Sequence, residues 1–172
     1  STSFFKWISE LENEVEQESG LTPGHESFDI KVSQKVHKIT SSLEEKVNGF
    51  DFAKVLSIYY KGHRMGDDKL QQKAFRWMCG EYRTKSEAKS DLGVNLIITD
   101  DNWYDFIKLW AEFVVKAGYA GLYICMDELA SIYEIPSKVG RDYNYSKLLA
   151  IYNDVLQGKA SHLGFLMGIT KE

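Results

Sequence analysis

Two adjacent carboxylates, Asp127 and Glu128, close an apolar run that reads Gly121-Leu122-Tyr123-Ile124-Cys125-Met126. An acid at the end of a strand can hold Mg²⁺, directly or through water, next to nucleotide phosphates. A second acid one residue on can polarise the attacking water as a general base. An apolar strand buried on both faces would leave this pair rigid and partly desolvated. The same pair also suits the first turn of a following helix, where carboxylates favour the helix dipole. Both readings stay open on this stretch alone. A nuclease or phosphatase site is weaker, because it needs further carboxylates or histidines from other strand ends, and the sequence points to none.

A second apolar run, His162-Leu163-Gly164-Phe165-Leu166-Met167, leads into Gly168-Ile169-Thr170. In P-loop ATPases of the AAA type a polar residue at the end of the strand after the acidic one, called sensor 1, lies by the γ-phosphate and the attacking water. Thr170 stands in that place, and a plain strand-end hydroxyl is the alternative. Between the two runs, Arg141 could approach a phosphate or a neighbouring subunit; a surface arginine near a helix start is the simpler reading. No GxxxxGK[ST] loop is present. Gly80, Lys85 and Ser86 imitate one, but the second glycine is missing and no apolar strand precedes them. Arg83 and Lys85 read more simply as exposed charges than as anion contacts. His25, His37 and His63 have no metal-ligand spacing, and His162 suits a structural role. Cys79 and Cys125 match no zinc pattern, and Cys125, inside the apolar run, reads as a small buried residue.

The elements that must position these residues follow from periodicity. Phe4, Ile8, Leu11 and Val15 predict a helix over 3–18 with Ser3 as N-cap and a run of glutamates on its outer face. Phe28, Val32, Val36, Ile39 and Leu43 predict a second over 28–47, ended by Asn48-Gly49. Further helices are expected at 50–61 and 68–79, and a short one starting at Thr84 or Ser86. Trp103, Phe106, Ile107, Trp110, Phe113, Val114 and Ala117 give the clearest helix, 101–117, capped by Thr99 or Asp100 and ended by Gly118. The last helix is 143–157, with Tyr145, Leu148, Leu149, Tyr152 and Leu156 on one face. The unalternating runs predict parallel strands near 121–126 and 162–167. Strand, helix, strand is a βαβ unit with a right-handed crossover. The fold class is therefore α/β and predominantly helical. Residues 1–80 read as a helical region and 81–172 as part of an ATPase core.

Composition bounds the rest. The chain has 172 residues, 44% hydrophobic and 27% charged, with a net charge of −4, so it is globular and has no general reason to bind nucleic acid. No apolar run approaches the roughly 20 residues of a membrane span, no signal peptide is visible, and a cytoplasmic setting is the default. The chain begins Ser1-Thr2-Ser3 without Met and stops soon after a strand-like run. It reads as a piece of a longer protein.

The stretches GEYRTKSEAKSDLGV, DDNWYDFIKLWAEFVVKAGYAGLYICMDEL and RDYNYSKLLAIYNDVLQGKASHLGFLMGIT together resemble the P-loop ATP-binding family of BREX-type bacterial phage-resistance systems. The likeness covers about residues 75–172, and the helical first part is similar to the variable region that such proteins carry. The resemblance implies an AAA-like core. It implies the Walker B roles for Asp127 (Mg²⁺) and Glu128 (water activation), and the sensor role for Thr170. The family's last motif runs Gly-Gly-Thr-Pro-Glu, whereas here Ile169 and Lys171 replace the second glycine and the proline. ATP and Mg²⁺ are the cofactors implied for the intact parent, with none expected on this chain alone, because the phosphate loop is missing. The implied partners are the remainder of that ATPase and other subunits or a homo-oligomer, with DNA a further candidate and no membrane. The alternative is a non-enzymatic interaction module that uses the helical region and carries a degenerate nucleotide site. Open sheet edges would invite dimerisation or rearrangement.

Overall fold

The computed structural model describes residues 2–168. Helix α1 (Thr2–Ser19) lays Phe4, Trp7, Ile8, Leu11 and Val15 into the interior and its glutamates outward. It begins at Thr2, one residue before the predicted N-cap position Ser3. Helix α2 (Glu26–Glu44) is capped by the His25 side chain, which accepts the Ser27 N–H. It buries Phe28, Val32, Val36, Thr40 and Leu43.

Asn48, in the left-handed region (φ 59°), turns the chain sharply into α3 (Gly49–Met65). This helix runs one turn further than the periodicity of its apolar residues suggests. Helix α4 (Asp68–Met78) follows, with Asp67 accepting the Leu70 N–H as its N-cap. A short α5 (Lys85–Leu92) uses Thr84 as the cap through the Glu87 N–H.

Helix α6 (Trp103–Lys116) joins the two halves of the molecule. Phe106, Leu109 and Phe113 enter the larger core, which gathers α1 to α4 around Trp7, Phe52, Leu56 and Trp77. Its aromatic rings meet mostly edge to face, as at Trp77–Phe106 (5.4 Å) and Trp7–Phe113 (5.1 Å), the arrangement favoured by ring quadrupoles. Tyr104 and Ala111 face the other way, into a smaller core with Ile151, Ala160 and Leu163. One apolar stripe was expected on this helix, and two are present. The N-terminal position also differs from expectation. Asn102, not Thr99 or Asp100, precedes the first turn, and its side chain accepts the Thr99 N–H and donates to the Ile97 carbonyl. It shapes the entry loop instead of capping the helix.

Strands β1 (Leu122–Met126) and β2 (Leu163–Met167) pair in parallel, with Leu122 opposite Leu163 and Met126 opposite Met167. A 3₁₀ segment (Leu129–Glu134) and α7 (Lys138–Leu156) make the crossover. The chain is thus an α/β protein dominated by helices. Leu122, Ile124, Met126, Phe165 and Met167 pack toward α6 and α7, while Tyr123, Cys125 and Leu166 are exposed on the opposite face. The expectation of a strand buried on both faces, with Cys125 inside, is therefore corrected. Side chains alternate across a strand, and among the described residues helices cover only one side of this sheet.

Helix α7 carries the expected face largely outside the core. Of Tyr145, Leu148, Leu149, Tyr152 and Leu156, Leu148 is half-buried and the other four are exposed, and Ile151 is the fully buried side chain of the helix. Polar ties hold the helix in place as well. Lys147 donates to the Asp101 carbonyl, the Tyr143 hydroxyl to the Asp101 carboxylate, and Lys108 on α6 bridges Asp105 and Asp154.

Candidate active site

Asp127 is the first residue beyond β1, at the carboxyl end of a parallel strand. That is where open α/β sheets present ligand-binding groups. The register brings the end of β2 beside it. The Gly168 N–H donates to the Met126 carbonyl at 2.8 Å, and the Gly168 carbonyl accepts the Leu129 N–H at 3.2 Å. The two strand ends are thereby tied by backbone on both sides of the Asp127-Glu128 pair.

The Asp127 carboxylate is held by its own neighbour. Its Oδ1 accepts the Glu128 N–H at 2.8 Å and occupies the space that a Cβ on residue 168 would crowd. Glu128 takes a left-handed conformation (φ 57°, ψ 38°), one that a side chain with a Cβ adopts at a cost of about 1–2 kcal/mol. This bend breaks the strand direction and starts the 3₁₀ segment. Asp127 and Glu128 are both exposed, so the partly desolvated pair that the strand suggested is corrected. The pair opens to solvent because the outer face of the sheet is uncovered in the described residues. The helix-start alternative keeps a short form: Glu128 stands at the N-cap position of a 3₁₀ segment of 6 residues, although its side chain makes no capping hydrogen bond.

Arg141 sits in the first turn of α7, and its guanidinium turns back toward the chain. Nη1 donates to the Ile135 carbonyl at 2.6 Å and to the Pro136 carbonyl at 3.3 Å. It clasps the loop that joins the 3₁₀ segment to α7, next to the Ser137 cap on the Gly140 N–H. Tyr133 in that segment meets Tyr145 of α7 edge to face, with centroids 6.0 Å apart. Thr170 lies outside the described residues. His162 also has a left-handed backbone (φ 60°) and contributes through its carbonyl, which accepts the Leu122 N–H. Gly168 is the functional candidate that sequence reasoning passed over. Its signal was its place, one residue past a strand that pairs with the acid-bearing one.

Among the described residues no three His, Cys, Asp or Glu side chains come together as a metal cluster. A Mg²⁺ at Asp127 would take that carboxylate and complete its shell with water and phosphate oxygens, the usual manner for this ion. The bare Cα of Gly168 leaves room beside the carboxylate, so the residues present fit the ion.

A helix-rich α/β protein with an acidic pair at the carboxyl end of a parallel strand is the class that fold and site define. A family model described as BREX system ATP-binding protein BrxC/D matches residues 4–172, and the chain belongs to that family. No curated protein and no solved structure matches it. No helix among the described residues is long and apolar enough to cross a membrane.

Proposed function

We propose that Asp127 and Glu128 are the Mg²⁺-holding and water-activating acids of an ATPase, and that residues outside this 172-residue sequence supply its phosphate loop. The observation that carries this reading is the Asp127 carboxylate, fixed by the Glu128 N–H at the joined ends of two parallel strands. Membership of an ATP-binding family supports it. When bound, ATP would supply an electrophilic γ-phosphorus, and Mg²⁺ would offset the negative charge on the phosphate oxygens around it. The work of this chain is then positional. Asp127 keeps its place through one backbone bond, and Glu128 stands one residue on, where its carboxylate can accept a proton from water. Thr170, which follows Gly168-Ile169 in the sequence, is proposed as the polar sensor of that water. Arg141 keeps the crossover loop closed, and contact with a phosphate or a neighbouring subunit is proposed only after that clasp opens.

The exposed outer face of the sheet supports the same reading. Parallel sheets are normally covered on both faces, and among the described residues each of the two strands has one open edge. Tyr123 and Leu166 are 69% and 58% exposed. The remainder of an ATPase core is the partner proposed to cover them, within a phage-defence complex that includes further subunits or copies, with DNA a further candidate.

The lack of a GxxxxGK[ST] loop in these residues favours one rival, an interaction module with a degenerate nucleotide site. Glu128→Gln in the full-length protein that contains this chain separates the two. Retained ATP binding with hydrolysis lost by 100-fold or more, on the order of what a positioned base contributes, is the expected result. Unchanged hydrolysis removes the general-base role.

A further inference from the structure

We infer that Gly168 is a positioning residue for the Asp127 carboxylate, and that its place in the chain requires a bare Cα. The inference rests on the reading of Asp127 as the Mg²⁺ ligand.

A Cβ built on Gly168 would sit 2.9 Å from Asp127 Oδ1, closer than a carbon and a carboxylate oxygen can approach. The next atoms, the Met126 carbonyl oxygen at 3.7 Å and Asp127 Cα at 3.8 Å, are at ordinary contact. Gly168 is not among the residues with positive φ, so a left-handed backbone is not why glycine stands here. Its backbone is tied on both sides. The N–H is tied to the Met126 carbonyl at 2.8 Å, and its own carbonyl accepts the Leu129 N–H at 3.2 Å. The atom left to move is the carboxylate tip. That tip is held only by the Glu128 N–H among the described residues, and it is exposed, so the fold tolerates its displacement. A metal ligand does not: an error near 1 Å at a reacting centre can cost about 100-fold in rate.

One methyl group at residue 168 thus acts on the carboxylate and leaves the fold alone. A glycine that served the turn would behave in the opposite way.

The test uses the full-length protein with Gly168→Ala, Asp127→Ala and the double variant. ATP affinity and hydrolysis are followed across a Mg²⁺ titration, alongside the thermal midpoint. For G168A the expected result is a half-saturating Mg²⁺ concentration raised about 10-fold or more, with the midpoint within about 2 °C of the parent. In the D127A background, G168A should leave the Mg²⁺ dependence of ATP affinity where D127A already put it. If D127A is impaired and G168A keeps the parent's Mg²⁺ dependence, the positioning role is overturned while the Asp127 reading stands. If G168A unfolds or loses many degrees, the glycine serves the fold and the inference is also overturned. If D127A itself leaves the Mg²⁺ dependence unchanged, the Asp127 reading fails first and takes this inference with it.

Discussion

Asp51 Oδ2 accepts the backbone N–H of Leu96 at 2.8 Å, across 45 residues of chain, and the N–H of Asn95 at 2.9 Å. Asp51 lies in the first turn of α3 and is 4% exposed. It is one of two buried polar or charged residues among those described. Its carboxylate pins the segment leading to α6, while the Trp77 indole donates to the Leu96 carbonyl at 2.8 Å from the other side. Asp51→Ala leaves two backbone donors without their acceptor in a crowded place. A loss of about 2–3 kcal/mol is expected, read from chemical denaturation. Asp51→Asn keeps one acceptor oxygen and should lose less. A loss under about 0.5 kcal/mol for the alanine variant would show that water replaces the carboxylate and that the brace has no weight.

Arg141 offers a second test, because its guanidinium is already engaged with Ile135 and Pro136 carbonyls. Arg141→Ala frees two acceptors in a half-exposed loop. Hydrogen exchange across residues 129–140 should quicken severalfold, with a global cost of about 1 kcal/mol. Lysine has one point charge where arginine has a planar fork, so Arg141→Lys should recover only part of the protection. Unchanged loop exchange, together with a lost response to nucleotide, would move Arg141 from clasp to phosphate or subunit contact.

Much of the fold was legible because helices with a single buried face announce it. Phe4, Ile8, Leu11 and Val15 keep their spacing and are all buried in α1, and Thr84 caps α5 as its type suggests. The parallel pair was legible from two short apolar runs flanking a helix. What stayed hidden depends on neighbours that periodicity does not report. Cys125 lies in an apolar run, but only one face of a strand meets α6 and α7. Tyr145, Leu149, Tyr152 and Leu156 form a helical stripe that stays exposed, with Tyr133 meeting only its Tyr145 end. Asn102 does its work through the Ile97 carbonyl and the Thr99 N–H, a loop geometry that no cap rule contains. At the site, Asp127 and Glu128 stood out by type. Gly168 did not, since only the register of β2 against β1 brings its Cα to the carboxylate.

The clasp between α4 and α5 should carry a pH signature. Lys73 donates to Asp91 Oδ1 at 2.7 Å, and the Tyr82 hydroxyl donates to Oδ2 at 2.9 Å. The lysine bond first, then the tyrosine bond, hold the Asp91 carboxyl below its ordinary range. A carboxyl whose folded pKa is depressed adds stability above its unfolded pKa, about 3.9, and that stability fades as pH falls through the lower folded value. The groups are partly exposed, so screening keeps the contribution to roughly 0.5–1 kcal/mol. Asp91→Asn should therefore be less stable than the parent at pH 7, with the gap closing below about pH 4. Added salt should narrow it at pH 7. A gap that persists at pH 2 would assign the effect to packing and not to charge.

Glu128 stands in the left-handed region at φ 57°, and no hydrogen bond from its side chain to the described residues offsets the strain. A carboxylate kept there against backbone preference is what a site residue looks like when its position matters more than its stability. Glu128→Gly removes the steric cost of about 1–2 kcal/mol. It also gives the unfolded chain more freedom, worth about 0.4–1 kcal/mol in the other direction. The net expectation is a variant as stable as the parent or more stable by up to about 1 kcal/mol, with ATP hydrolysis in the full-length protein lost. Thermal or chemical unfolding supplies the first quantity and phosphate release the second. A variant that is clearly less stable would reveal a structural role for the side chain. One that is stable and still hydrolyses ATP at the parent's rate would leave the left-handed turn as a feature of the crossover and take the base out of the mechanism.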